Sequence, residues 1–90
     1  IQMDGVTYQL PVPFVVFMDH GWDYASYTPD SMRFRAVPPG KNTSTITLVK
    51  DEMNLEVMAM NYDTQYMPNE YCYIYSIDFD SGFGKQEARN

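Results

Sequence analysis

Three stretches decide the fold of this 90-residue chain: TSTITLVK at residues 43–50, LEVMAMNY at 55–62 and YCYIYSIDF at 71–79. Side-chain character alternates along each stretch, and β-branched and aromatic residues are frequent, which is typical of half-buried β-strands. We therefore expect three consecutive strands in an antiparallel meander. One side of it would carry Ile46, Leu48, Leu55, Val57 and Ala59, and the other Thr45, Thr47, Glu56, Met58, Met60 and Tyr62.

The beginning of the chain predicts a β-hairpin. Asp4 and Gly5 stand between two short apolar stretches and suit a two-residue type I′ turn. If the second strand of the hairpin continues, Tyr8 and Leu10 lie on the same face as Val6.

Residues 13–20, PFVVFMDH, predict a short helix, although the two adjacent valines also suit a strand. Pro13 fits the first helical position, and Gly21 fits the position just after a helix end. A helix here would place one apolar stripe on the sheet, formed by Phe14, Phe17 and Met18.

The remaining segments complete the sheet. Residues 22–27, WDYASY, and 32–37, MRFRAV, each predict a short strand, and TPDS at 28–31 predicts a type I turn between them. DTQYMPNE at 63–70 is expected to be a loop without regular structure. We expect an α+β fold, mainly an antiparallel sheet of five to six strands with one short helix at about residues 13–20. Residues 1–79 would form a single domain and 80–90 a flexible tail or linker.

Charge and composition exclude several classes of function. Six basic and twelve acidic residues give a net charge of -6 and a pI near 4.4, which repels nucleic acid and anionic membranes. No apolar run approaches the roughly 18 residues that a membrane-spanning helix needs, so we expect no membrane insertion of this segment. A single cysteine, Cys72, excludes an internal disulfide, and we interpret it as a buried, unreactive thiol.

Candidate catalytic and metal-binding residues are few. Asp19, His20 and Cys72 are of the right types for a hydrolase, but we interpret His20 as a residue that caps the helix end. Asp78, Asp80 and Gly82 resemble part of a calcium loop that lacks its closing glutamate, and solvated acids at a strand end are the better interpretation. We predict no catalytic residues, no metal site and no cofactor.

The aromatic excess is the most informative feature for function. Tyr71, Tyr73 and Tyr75 would project from one face of the last stretch, beside Met58, Met60 and Tyr62. Such a patch suits a protein interface or sugar stacking. Alternatively, the helix covers this face and only the tyrosine hydroxyls reach its rim, which we favour. Trp22 is interpreted as a core anchor.

The pattern DGxxYxLPx5Fx3GW at residues 4–22 resembles a repeat module in surface lipoproteins and secreted proteins of Gram-positive bacteria, many of them uncharacterised. Pro39 and Gly40, Asn61 and Cys72 match its later positions. The resemblance implies an extracytoplasmic, cell-surface or secreted α+β domain with nothing catalytic. We read the start at Ile1 as that of an excised or processed fragment.

The expected function is therefore non-catalytic interaction or structural support within a surface lipoprotein. Its partner would be another protein or an adjacent domain of the same chain. Two alternatives stay open: a carbohydrate-binding module that uses the tyrosine strand, and a fragment of a larger secreted enzyme.

Overall fold

A computed structural model describes residues 2–3 and 5–79 of the chain, with the backbone alone at residues 2, 3 and 79. The tail predicted for residues 80–90 lies outside this described part. In chain order the elements are β1 (Gln2–Met3), β2 (Val6–Thr7), β3 (Val12–Pro13), α1 (Phe14–Asp19), β4 (Asp23–Tyr24), α2 (Asp30–Arg33), β5 (Ala36–Val37), β6 (Ile46–Lys50), β7 (Met53–Met60), β8 (Met67–Pro68), a 3-10 helix (Asn69–Tyr71) and β9 (Tyr73–Phe79).

The main sheet has five strands in the order β3-β9-β7-β6-β4, and every neighbouring pair is antiparallel. The predicted meander is confirmed, since β7 pairs with β6 on one side and with β9 on the other. The strand ends differ from the prediction. Within the meander, β6 starts at Ile46 and not at residue 43, and β9 starts at Tyr73 and not at residue 71. The residues before these strands lie in loops or in the 3-10 helix. The α+β fold class, dominated by antiparallel sheet, is confirmed.

The first hairpin forms as predicted. Met3 lies opposite Val6, and Gly5 has a φ of 76°, a left-handed conformation that glycine adopts at little cost. The position before Gly5 lies outside the described residues. The predicted continuation of the strand is wrong, because Tyr8 is buried whereas Leu10 is 38 % exposed.

The predicted helix is α1, one residue shorter at each end than residues 13–20. Pro13 does not occupy the first helical position, because it is extended and still pairs within the sheet. The end agrees with the prediction. Gly21 has a φ of 97°, its N–H donates to the carbonyl two positions before the C-cap, and the Trp22 N–H donates to the Phe17 carbonyl at 3.0 Å. This arrangement is a Schellman motif, which gives the Gly-Trp step a structural reason.

Between α1 and β6 the prediction is mostly wrong. The strand expected at 22–27 shrinks to β4, and the turn at 28–31 and strand at 32–37 give way to α2 and β5. Pro29 precedes α2 as its N-cap residue. The loop expected at 63–70 contains β8, which pairs with β5 in a separate two-stranded sheet.

The core lies on one side of the main sheet, beneath α1. The alternation in β6 and β7 is as predicted, with every second side chain buried. The rings of Phe14 and Phe17 pack there from the helix, and the predicted anchor Trp22 is only 2 % exposed. The fully or almost fully buried inward-facing sheet residues are Val12, Tyr24, Ile46, Leu48, Leu55, Val57, Ala59 and Ile74, and the partly buried Ile77 lies opposite Val57.

Candidate binding face

The opposite side of the main sheet carries the predicted aromatic surface. Residues paired across antiparallel strands share a face, and Met60 lies opposite Tyr73 while Met58 lies opposite Ser76. None of these is an inward-facing position, and Tyr73 is 39 % exposed. Since α1 lies on the other side, the expectation that the helix covers the tyrosines is wrong. The helix packs on the side of β7 where every second residue is fully buried. The methionine and tyrosine positions therefore lie on the side of the sheet that faces away from the helix.

A β-bulge places Tyr75 on this outward face. Ala59 pairs with Ile74 and Met58 pairs with Ser76, so Tyr75 is the extra residue without a cross-strand partner. Its hydroxyl accepts a hydrogen bond from Asn42 Nδ2 at 2.8 Å. Asn42 forms an isolated β-bridge with Met60, on the edge of β7 that faces away from β9. The Tyr75 side chain therefore extends from β9 across β7 to reach Asn42.

Asn61 fixes the loop that follows β7. Its side chain is 1 % exposed, and Nδ2 donates to the carbonyls of Val37 and Gln65 at 2.8 and 2.7 Å. Its Oδ1 accepts the Asp63 N–H at 2.8 Å, which closes an Asx turn. Tyr62, held between these two residues, is 59 % exposed. One buried amide thus sets the position of an exposed ring and a carboxylate.

The Asp63 carboxylate divides its two oxygens between the loop and the solvent. Oδ1 accepts the N–H groups of Thr64 and Gln65 at 2.6 and 3.2 Å. Oδ2 accepts no hydrogen bond from the described residues, and the side chain is exposed. The second oxygen is therefore available to a ligand.

The 3-10 helix, and not a strand, presents Tyr71. The adjacent Asn69 is fully buried, and its Nδ2 donates to the Met32 carbonyl at 2.7 Å and to the Tyr24 hydroxyl at 3.2 Å. The Tyr24 hydroxyl in turn donates to Glu70 at 2.9 Å. Burial, more than the neighbouring carboxylates, raises the pKa of Tyr24 well above its ordinary value, so the hydroxyl keeps its proton and stays a donor even at alkaline pH.

Three tyrosines meet around an open depression of about 410 Å³, which we call the tyrosine depression. The rings of Tyr62 and Tyr73 are 5.7 Å apart and inclined by 62°, an edge-to-face pair. Tyr71 is 65 % exposed at its side. The lining is Tyr62, Asp63, Met67, Tyr71 and Tyr73.

Of the six residues predicted for an interaction surface, three therefore line the depression and three lie beside it on the sheet. We call this set the Tyr/Met face: Met58, Met60, Tyr62, Tyr71, Tyr73 and Tyr75. The sequence analysis missed Asp63 and Met67. Met67 belongs to a strand that only a long-range pairing creates, but the Asn61-Tyr62-Asp63 spacing is a signal for an Asx turn.

The residues considered for catalysis occupy structural positions. Cys72 is fully buried, as predicted. Burial is the main cause that raises the pKa of its thiol, and the negative charge of Glu70 adds to it, so the reactive thiolate is disfavoured. His20 is the C-cap of α1, and its Nδ1 lies 2.8 Å from the Val16 carbonyl. Within residues 5–78 no three His, Cys, Asp or Glu side chains converge on a common metal position. Asp80 and Gly82 of the weak calcium-loop pattern lie outside the described residues.

Comparisons with protein-family models, with curated proteins and with solved structures returned no match. The likeness to bacterial surface modules therefore stays an expectation. No helix in the described part of the chain has both the length and the apolar character to cross a bilayer.

Proposed function

We propose that this domain is a non-catalytic interaction module that binds another protein, or a neighbouring domain, through the Tyr/Met face. The observation that carries the proposal is the side of the sheet on which this face lies. The helix and the aromatic core occupy the opposite side, so Tyr62, Tyr71 and Tyr73 remain exposed. The sequence likeness to surface lipoproteins supports an extracytoplasmic location as part of the same proposal.

The residue types of the face suit protein recognition. Tyrosine supplies a large contact area with few rotatable bonds, and methionine adapts its shape to a partner. Interface cores are enriched in both. Hydrogen bonds hold the supporting Asn61 and Asn69 side chains in place before binding, which reduces the entropy lost on association.

Carbohydrate binding is the second candidate, because the tyrosine depression combines ring faces with a carboxylate oxygen. One sugar ring that lies face to face against both Tyr62 and Tyr73 would need their planes nearly parallel. Tyr62 and Tyr73 are instead inclined by 62°. A compact group that contacts several rings at once fits this geometry better than a flat sugar ring, so protein binding is the first candidate.

Selection from a displayed random-peptide library tests the proposal. The 90-residue chain is the target, and the double variant Tyr62→Ser/Tyr73→Ser is used only afterwards, to measure how the selected peptides bind without the two rings. Tyr27→Ser is the matched control, because Tyr27 is 74 % exposed and is not part of the Tyr/Met face. We expect peptides that bind the parent chain and the Tyr27 variant equally, and the double variant at least about tenfold more weakly.

Circular dichroism must show that all variants are folded. If selected peptides bind the double variant as tightly as the parent, the Tyr/Met face is not the binding surface. A panel of oligosaccharides is titrated in parallel while amide chemical shifts are recorded. Shifts at Tyr62, Tyr71 and Tyr73 with a sugar, combined with failure of the peptide selection, would replace the proposal with the second candidate.

A further inference from the structure

The outward side of the main sheet is acidic beyond the Tyr/Met face. Its strand positions include Asp23, Glu56 and Asp78, and no lysine or arginine occupies an outward-facing position in the five described strands. Glu56 lies directly opposite Asp78, and like charges in that arrangement destabilise a sheet. The whole chain has a net charge of -6. A partner that covers this side is favoured if it is basic.

The tyrosine depression adds a specific site to this general charge. The face of a tyrosine ring attracts cations, and three such rings surround the opening. Asp63 contributes a carboxylate whose Oδ2 has no hydrogen-bond donor among the described residues. Rings at a steep mutual angle beside one carboxylate form an arrangement that binds an organic cation.

Among biological cations, the guanidinium group matches these features most closely. It is planar and weakly hydrated, it stacks on aromatic rings, and it donates several hydrogen bonds to a carboxylate. The lysine ammonium is more strongly hydrated and loses more on leaving water. Arginine is also one of the residues most enriched at the energetic centres of interfaces.

We propose that the tyrosine depression binds an arginine side chain of a basic partner protein, with the guanidinium against Tyr62, Tyr71 and Tyr73 and bonded to Asp63 Oδ2. This inference rests on the proposed function and names the chemistry of the partner. The Glu56 and Asp78 pair, two positions along the sheet from Met58 and Ser76, attracts further basic residues of the same partner.

Binding of small probes tests this inference directly. Acetyl-arginine-amide, acetyl-lysine-amide and acetyl-citrulline-amide are titrated against the full chain, and amide chemical shifts are followed. Citrulline has nearly the shape of arginine without its charge. We expect the arginine probe to shift the amides of Tyr62, Asp63 and Tyr71, and to bind at least about fivefold more tightly than either of the other probes.

Asp63→Asn supplies the decisive variant, because the remaining amide oxygen can still accept the loop N–H groups while the negative charge is lost. Glu52→Gln is the matched control, since it removes one charge in the β6–β7 turn. We expect Asp63→Asn to weaken arginine binding about tenfold and Glu52→Gln to leave it unchanged. An unfolded Asp63→Asn chain would show in its amide spectrum, and Tyr71→Ala, which removes one ring, then serves as the test.

Several results would overturn the inference. They are equal binding of the arginine and citrulline probes, unchanged binding by the Asp63→Asn chain, or amide shifts at the depression caused only by a neutral sugar such as cellotetraose. The display experiment separates this failure from that of the proposed function. Peptides that need Tyr62 and Tyr73 but contain no arginine would contradict the arginine site and still support protein binding.

Discussion

At the scale of single residues, buried amides hold the segments that present the Tyr/Met face. Asn61 is 1 % exposed and supplies both donors and an acceptor to three backbone groups around it. A hydrophobic pattern cannot identify such a residue, because its position looks like the polar end of a strand. Its importance comes from partners far apart in sequence, such as Val37, which the chain brings together only after folding.

Replacing Asn61 by alanine should cost about 2 to 3 kcal/mol of unfolding free energy, because it leaves carbonyls and an N–H group in and near the core without partners. Urea denaturation followed by tryptophan fluorescence measures this loss. Asn42→Ala is the control: Asn42 is exposed and donates one bond to Tyr75, so its loss should cost less than about 1 kcal/mol. Similar losses for both variants would contradict the structural role assigned to Asn61.

At the scale of elements, local signals predicted the first hairpin, the helix and the long strands, and failed for most of the short elements after the helix. Alternation over β6, β7 and β9 and the stop signal at Gly21 are encoded within a few residues. The two-residue strands β5 and β8 exist only because they pair with each other, with partners 30 and 32 positions apart in the sequence. At residues 32–37 a brief alternation predicted a strand. The end of α2 occupies the beginning of this stretch, with Asp30 in the first turn of the helix and Arg33 in the last, as the helix dipole favours, and the strand is confined to β5.

The β6–β7 turn contains a strained residue that a substitution should relieve. Asp51 has a φ of 55°, in the left-handed region that costs non-glycine residues energy. We expect Asp51→Gly to raise the unfolding free energy by about 0.5 kcal/mol, since the gain in the folded state exceeds the added freedom of the unfolded chain. Thermal denaturation measures the change.

The neighbouring residue of the same turn provides the control. Glu52 does not have a positive φ, so Glu52→Gly brings no relief and should lower stability by about 0.5 to 1 kcal/mol. If both glycine variants lose stability equally, Asp51 is not strained.

The acidic pair on the outward face leads to a prediction about β7 and β9. Asp78→Asn should stabilise the domain by a few tenths of a kcal/mol, and Asp78→Lys by up to about 1 kcal/mol, because repulsion from Glu56 is replaced by a neutral or attractive contact. Melting temperatures at low and high salt measure the effect. It should shrink at about 1 M salt, where exposed charges are screened. A stabilisation that does not depend on salt would show that the pair is not repulsive.

At the scale of the whole molecule, the core lies on one side of the main sheet and the Tyr/Met face, which we propose for recognition, lies on the other. Tyr71 is presented by the 3-10 helix and does not follow strand alternation. Alternation in the sequence does assign Met58, Met60 and Tyr73 to one face. It could not predict which face the helix covers, since both carried apolar residues. The depression depends on the bulge at Tyr75, the Asx turn at Asp63 and the position of the 3-10 helix, which arise from long-range pairing.

The same packing makes the stability of the molecule sensitive to alkali. Burial raises the pKa values of Cys72 and Tyr24 above their ordinary values of 9.0 and 10.0. In the unfolded chain these groups ionise near the ordinary values, whereas in the folded protein they keep their protons. Unfolding above pH 9 therefore releases protons, and stability falls as pH rises, by up to about 1.4 kcal/mol per pH unit for each group. Below about pH 8 neither group contributes to the pH dependence, because both are protonated in the folded and the unfolded chain.

Urea denaturation between pH 7 and 11 measures this decline, and single variants assign it. Cys72→Ala should remove the part of the slope that begins near pH 9, and Tyr24→Phe the part that begins near pH 10, although each variant is less stable at pH 7 because a buried contact is lost. Tyr27→Phe, at a position 74 % exposed, should leave the slope unchanged. A slope that persists in the Cys72 and Tyr24 variants would mean that other groups cause it, and that burial of these two does not couple folding to proton binding.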